Sequence, residues 1–178
     1  MKIKLSFFVC LILALCSCKK EVKDTYNIKL NERLDGFYKI INATSTLEYD
    51  LNDDGNLTNN MLIEIPDLKT STLDVLVSKT GKSFHLLWPE QYLHNSDYSF
   101  DMQGRIYNFN YEDTSKQIIP LVYDKSKSTI FSPPVKMHLI KDGLIECTLI
   151  REIITSKGKY KITIDAIYQI ETNSKRRI

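Results

Sequence analysis

The sequence predicts an all-β domain, a single antiparallel β-barrel of about eight strands with a β-sandwich as the alternative, and three observations carry that expectation. Near the C-terminus Tyr160, Ile162, Ile164, Ala166, Tyr168 and Ile170 fall on one face, and Lys159, Lys161, Thr163, Asp165 and Gln169 fall on the other. Period-two alternation of β-branched and aromatic residues marks a half-buried strand. Shorter runs of the same kind recur along the chain, with turn residues between them. No segment beyond the N-terminal leader carries a convincing helical stripe.

Taken in chain order, Phe37 to Tyr49 is a long first strand. Leu62 to Ile65 reads as a short strand that stops at Pro66. Leu73 to Val77 and Ser83 to Trp88 flank the turn Lys79-Thr80-Gly81-Lys82. Arg105 to Tyr111 follows, then Ile118 to Tyr123, where Pro120 imposes an edge position or a bulge because it has no N–H to donate. Val135 to Ile140 begins after Pro133-Pro134 and ends at the turn Lys141-Asp142-Gly143. Leu144 to Thr155 and Tyr160 to Ile170 form a hairpin around Ser156-Lys157-Gly158-Lys159. Asn27 to Leu34 predicts one or two helical turns against a barrel end, and Lys125 to Pro134 predicts a mobile loop.

Residues 1–17 have the layout of an export signal: Lys2 and Lys4, an apolar run from Leu5 to Leu15 broken only by Ser6, then Ser17 before Cys18. The run is too short to span a bilayer, which takes about 20 residues. Leu15-Cys16-Ser17-Cys18 resembles the lipobox of bacterial lipoproteins, with a Leu three places before the acylated Cys and a small residue just before it. That resemblance implies lipidation at Cys18; Cys16 is the competing thiol, but it follows the bulky Leu15. Diacyl plus N-acyl modification, palmitate among the chains, gives stable anchoring. A secretory signal cut near Ser17 and an uncleaved anchor are the alternatives. The expected organisation is a signal peptide over 1–17, a lipidated tether over 18–30 and one β domain over 31–178. Cys18-Lys19-Lys20-Glu21 is similar to the start of mature lipoproteins of the Bacteroidetes, which implies the outer membrane and leaves the face open.

Loss of Lys2 and Lys4 with the leader leaves 22 basic against 22 acidic residues. A near-neutral domain lacks the basic field that nucleic acid requires. Only Cys147 remains in the domain, between Ile145 and Leu149 on one strand face, so no internal disulfide forms and a buried, inert thiol is expected.

Asp50-x-Asn52-x-Asp54-Gly55-Asn56-Leu57-Thr58 matches positions 1, 3, 5, 6, 8 and 9 of an EF-hand calcium loop. Oxygens two residues apart converge on a hard cation, which nominates Asp50, Asn52 and Asp54 as ligands of a structural calcium. Position 12 is Met61, not Glu, and Glu64 comes three residues late. The competing reading is an Asx-rich turn whose side chains bond their own backbone. His85, His94 and His138 are not spaced as a metal set. No hydrolase or phosphate-loop signature occurs, so no enzymatic activity is expected.

Trp88, Tyr92, Tyr98, Phe100, Tyr107, Phe109 and Tyr111 cluster within 24 residues. Trp88, Tyr107, Phe109 and Tyr111 are the candidate ligand-binding aromatics, set against the simpler expectation that strand aromatics build the core.

Gly36-Phe37-Tyr38 at the start of the first strand resembles the Gly-x-Trp signature of lipocalins, with Tyr38 in place of Trp. The Asp50–Gly55 loop followed by Leu62-Ile63-Glu64 is similar to a segment of lipocalin-like lipoproteins of Bacteroidetes. The resemblance implies an eight-stranded barrel closed at one end by the aromatic ring, with a mouth able to take a small apolar ligand. Two functional expectations follow: a membrane-anchored envelope lipoprotein that binds a small apolar or glycan ligand, or a structural or inhibitory interaction lipoprotein acting through loops such as Gln91 to Gly104.

Overall fold

The computed structural model describes residues 28–94, 97–121 and 132–171. The expected leader, Cys18 and the expected tether as far as residue 27, most of the Lys125–Pro134 segment and the side chain of His94 lie outside them; residues 28–30, expected in the tether, belong to the folded domain, where Leu30 is buried. Residues 28–34 form helix α1. The strands are β1 (Gly36–Tyr49), β2 (Thr58–Asn60), β3 (Thr72–Val77), β4 (Lys82–His94), β5 (Asp97–Glu112), β6 (Gln117–Leu121), β7 (Lys136–Lys141), β8 (Leu144–Thr155) and β9 (Gly158–Ile170). Helix α2 (Met61–Glu64) and a 3-10 turn (Pro66–Thr70) lie between β2 and β3.

All pairings are antiparallel, and β1 bonds to both β3 and β9, so eight strands close into a barrel in the order β1-β3-β4-β5-β6-β7-β8-β9. β2 is the ninth, extra strand, bonded to the upper part of β1. Closure gives each barrel strand two neighbours toward one end, while β4, β5 and β8 run on past β3, β6 and β7 toward the other.

The inward rows follow from the alternation. On β9, Ile162, Ile164, Ala166 and Tyr168 are buried; opposite them on β8 are Arg151, Leu149, Cys147 and Ile145. Val75 and Leu73 of β3 face Phe84 and Leu86 of β4, and Met137 and Leu139 of β7 complete the interior. Cys147 is fully buried, and burial pushes its thiol far above the usual range, so it stays protonated.

Helix α1 caps one end, the near end. Leu30 and Leu34 are buried, and the Tyr38 hydroxyl donates to the Leu34 carbonyl at 2.8 Å. Asp35 Oδ1 accepts the Val77 amide at 2.8 Å, and Asn31 donates to the Val77 carbonyl at 2.6 Å. Arg33 pairs with Asp113 of the β5–β6 turn at 2.8 Å and Asp142 of the β7–β8 turn at 3.4 Å. Gly143 completes that second turn at φ +78°, where an added Cβ would meet Ile170 Cγ2 at 2.7 Å.

Several expectations need correction. Leu62 to Ile65 is not a strand: Met61–Glu64 is helical and Asn60 caps it, accepting from the Leu62 amide at 3.1 Å. Met61, Ile65 and Leu68 are buried at i, i+4, i+7 spacing. They fill the wall between the upper parts of β1 and β4, because β3 stops at the level of Lys39 and Leu87. Gln91 to Gly104 is not a loop but most of the far half of the β4–β5 hairpin. Pro89 therefore lies inside β4, beyond the point where β3 ends, so its missing donor faces no described partner strand. Pro120 behaves alike: β6 pairs with β5 throughout but with β7 only through Gln117 and His138.

Candidate functional site

The far end of the barrel, opposite α1, carries the polar chemistry. Phe84, Leu86, Trp88 and Glu90 form one inward row on β4, and Ile145, Cys147, Leu149, Arg151 and Ile153 form one on β8. Three strands separate β4 from β8 in either direction around the ring, so the two rows face each other across it. Arg151 Nε lies 3.0 Å from Glu90 Oε1, with both side chains nearly excluded from water. The guanidinium stands over the Trp88 ring at 5.7 Å. Its Nη1 donates to the Ile150 carbonyl at 3.0 Å, and its Nη2 to the Ser132 carbonyl at 3.1 Å. Desolvation outweighs the pull of Arg151 and lifts the Glu90 carboxyl to about 7.

The next residue on β4 completes the bridge. Gln91 Nε2 donates to the Ile154 carbonyl at 2.7 Å, and the Ile154 amide donates to Gln91 Oε1 at 2.8 Å. The side-chain amide thus imitates a neighbouring strand on β8 above Thr148, where the pairing with β7 ends. Glu90 and Gln91 together strap the β4–β5 hairpin across the mouth.

The four candidate aromatics do not converge. Trp88 is buried beneath Arg151. Phe109 is buried beside Phe84, with ring centroids 6.1 Å apart. Tyr107 is half-buried against Phe84 at 5.2 Å. Tyr111 lies toward the near end, where its hydroxyl accepts from Arg33 at 3.3 Å and its ring lies 5.8 Å from that guanidinium. Tyr107, Phe109 and Tyr111 share one row along β5. Gln103 and the exposed Arg105 continue this row to the mouth, opposite Trp88 and Leu86.

The Asp50 loop also lies at the far end. Asp54 N donates to Asn52 Oδ1 at 3.1 Å, and Asn56 N donates to Asp54 Oδ1 at 2.8 Å. Asp53 and Gly55 adopt positive φ of 56° and 87°. This is the Asx-turn geometry. Asp50 is ion-paired with Lys157 from the β8–β9 turn, and Ser156 donates to Asp53 at 2.9 Å. Lys157, with help from the Gly55 and Asp54 amides, holds the Asp50 carboxyl below its usual range. Among the described residues no three His, Cys, Asp or Glu side chains gather around a common metal position. His85 lies on the outer face over Gly104, and His138 Nδ1 is 3.2 Å from Glu146.

Comparison of the chain with protein-family models, curated proteins and solved structures finds no match. The site therefore rests on its own chemistry. Sequence reasoning overlooked Glu90, Gln91, Arg151 and Lys157 within it. A signal existed for two of them: Arg151 and Glu90 each interrupt an inward apolar row at an even register position, where an unpaired charge is prohibitive and a partner is implied.

Proposed function

We propose that this chain is a lipid-anchored envelope lipoprotein whose barrel is an interaction module working through its far rim, not a carrier with an apolar lumen. The single observation in favour is the packed interior along β1, β7, β8 and β9. Tyr38, Tyr168, Leu139, Ile145, Cys147, Leu149 and Ile164 are all 0% exposed, so none borders a space that admits even one water. A carrier of small apolar molecules needs roughly 300 Å³ or more of pocket. The far rim, in contrast, presents apolar side chains to solvent: Leu93 and Tyr98 face each other at the hairpin tip, and Leu47 and Leu57 are exposed near the Asp50 loop. The described chain begins in α1 at the near end, opposite this rim. A lipocalin-like ancestry with its ligand cavity closed fits the same observations.

A second reading is a small polar or glycan ligand at the mouth. Gln103 and Arg105 favour it, because they sit on the inward row beside Tyr107 yet reach water. Glycans pair such polar groups with aromatic faces.

Two measurements test the proposal. Cys18→Ala should abolish lipid labelling and release the protein from membranes; labelling that persists at Cys16 refutes Cys18 as the anchor. Trp88 is the sole tryptophan, and its emission should not respond to lipophilic probes. Saturable one-to-one uptake with a shift in that emission refutes the closed interior.

A further inference from the structure

Two buried carboxylate oxygens beside the Asp50 loop accept no hydrogen bond. One belongs to Glu64, which lies outside the loop and is carried back to it by α2. Its Oε2 accepts from the amides of Leu51 at 2.5 Å and Asn52 at 3.4 Å, which fixes the group against the first turn of the loop. Its Oε1 has no partner, although the residue is only 2% exposed. The other is Asp50 Oδ1, on a residue 7% exposed whose Oδ2 is held by Lys157; the Gly55 and Asp54 amides lie close enough to favour the charged carboxyl, but neither makes a hydrogen bond of good geometry to Oδ1. Buried carboxylate oxygens without a donor are rare, because desolvation of the charge goes uncompensated, and a bound ion is one of the few things that accounts for them.

The geometry points to a calcium site in which Asp50 and Glu64 supply the two charged ligands. Glu64 bonds the amide that directly follows Asp50, which brings its carboxyl group beside the start of the loop. Asn52 stands on the solvent side of the loop with an oxygen lone pair beyond the one its Asx turn uses, while both Asp54 oxygens are engaged within the loop, by Asn56 N and Asn52 Nδ2. The donors are all oxygen, which selects a hard cation. They come from a loop and a separate helix rather than a rigid octahedral cage, which favours calcium over magnesium. The late carboxylate at position 64 thus replaces the absent one at position 61.

Two carboxylates rather than three or four place the affinity in the weak range of extracellular modules, roughly 10⁻⁴–10⁻³ M. Lys157 is the counter-ion of the metal-free loop. Its ammonium is half exposed and sits on a long side chain, so a divalent ion displaces it into water.

The test is a calcium titration of the full-length protein in detergent, followed by calorimetry and by thermal melting with and without chelator. Calcium should bind in that range and raise the melting temperature, and magnesium should be at least tenfold weaker. Asp50→Asn and Glu64→Gln should each weaken binding tenfold or more, and Lys157→Ala should tighten it several-fold. Tb³⁺ should show emission sensitised by Tyr49, which precedes Asp50 and packs on Tyr160 with centroids 5.8 Å apart, and calcium should quench it. No heat and no melting shift in the unsubstituted protein up to about 10 mM calcium, well above the expected range, overturns the site. A full response in Glu64→Gln overturns the role of Glu64. If that variant does not fold, the titration of the unsubstituted protein and Asp50→Asn decide.

Discussion

Replacing Arg151 by Ala should destabilise the fold by about 3–5 kcal/mol at pH above the Glu90 titration, as expected when one partner of a buried ion pair is removed and the other is left charged. Glu90 is 6% exposed and has no water to fall back on. The substitution also removes the guanidinium from the Trp88 face and two bonds to backbone carbonyls. The size of the loss depends on pH, and the sign follows from Glu90. Its folded-state value of about 7 lies above the unfolded value of about 4.3. Between these two pH values the folded protein holds a proton that the unfolded chain has released. Stability contributed by this group is complete below the lower value and is lost as pH rises through the upper one. That loss is on the order of 3 kcal/mol. Glu90→Gln should flatten the profile between about pH 5 and pH 8, and Arg151→Ala should be less damaging at the acid end. Urea unfolding at the two pH values measures both. A double replacement by apolar residues should be close to neutral. A loss below about 1 kcal/mol for Arg151→Ala near pH 8, the value typical of an exposed pair, would show that water reaches the pair and that the mouth is open.

The second large effect is expected at Tyr168, the fully buried ring on β9. Its hydroxyl lies 2.7 Å from Ser71 Oγ, and the Ser71 hydroxyl donates its one hydrogen to the Leu87 carbonyl at 2.6 Å. Tyr168 is therefore the donor, and the chain of bonds ties β9 to β4 through the start of β3. Burial pushes the phenol far up, so it remains a donor at every pH at which the domain folds. Tyr168→Ala should cost about 3–5 kcal/mol, through lost transfer energy and the cavity left in a core that cannot collapse around it. Tyr168→Phe should cost only about 1 kcal/mol, since Ser71 keeps its bond to Leu87 and only one acceptor loses a partner. Chemical denaturation of both variants separates the contributions. Equal losses in the two would mean that the hydrogen bond, not the packing, holds this part of the barrel.

The barrel was legible wherever its signal was local. Alternation in β9 gave its inward row, and in β8 it placed Ile145, Cys147 and Leu149 on one face, because side-chain direction in a strand is set by period two alone. Pro120 was legible as an edge residue for the same reason: a missing N–H is a property of one residue. The helical turn of 61–64 was present in the spacing of Met61, Ile65 and Leu68 but was masked by the short apolar run before Pro66. Periodicity cannot separate helix from strand over so few residues. The extent of β4 through Pro89 was not legible, because it depends on β3 ending early and leaving that edge without a strand.

By itself the sequence determined an all-β chain, the two faces of its C-terminal strand and a helix at one end. These follow from interactions within a few residues, which the order of side chains specifies directly. Only the tertiary structure decided that β1 closes on β9, that Glu90 meets Arg151 across the ring, and that Glu64 returns to the loop begun by Asp50. Each of those contacts joins segments far apart in the chain. Their partners are chosen by which buried charges and backbone groups are left to satisfy once the strands have curled, and no local pattern encodes that choice.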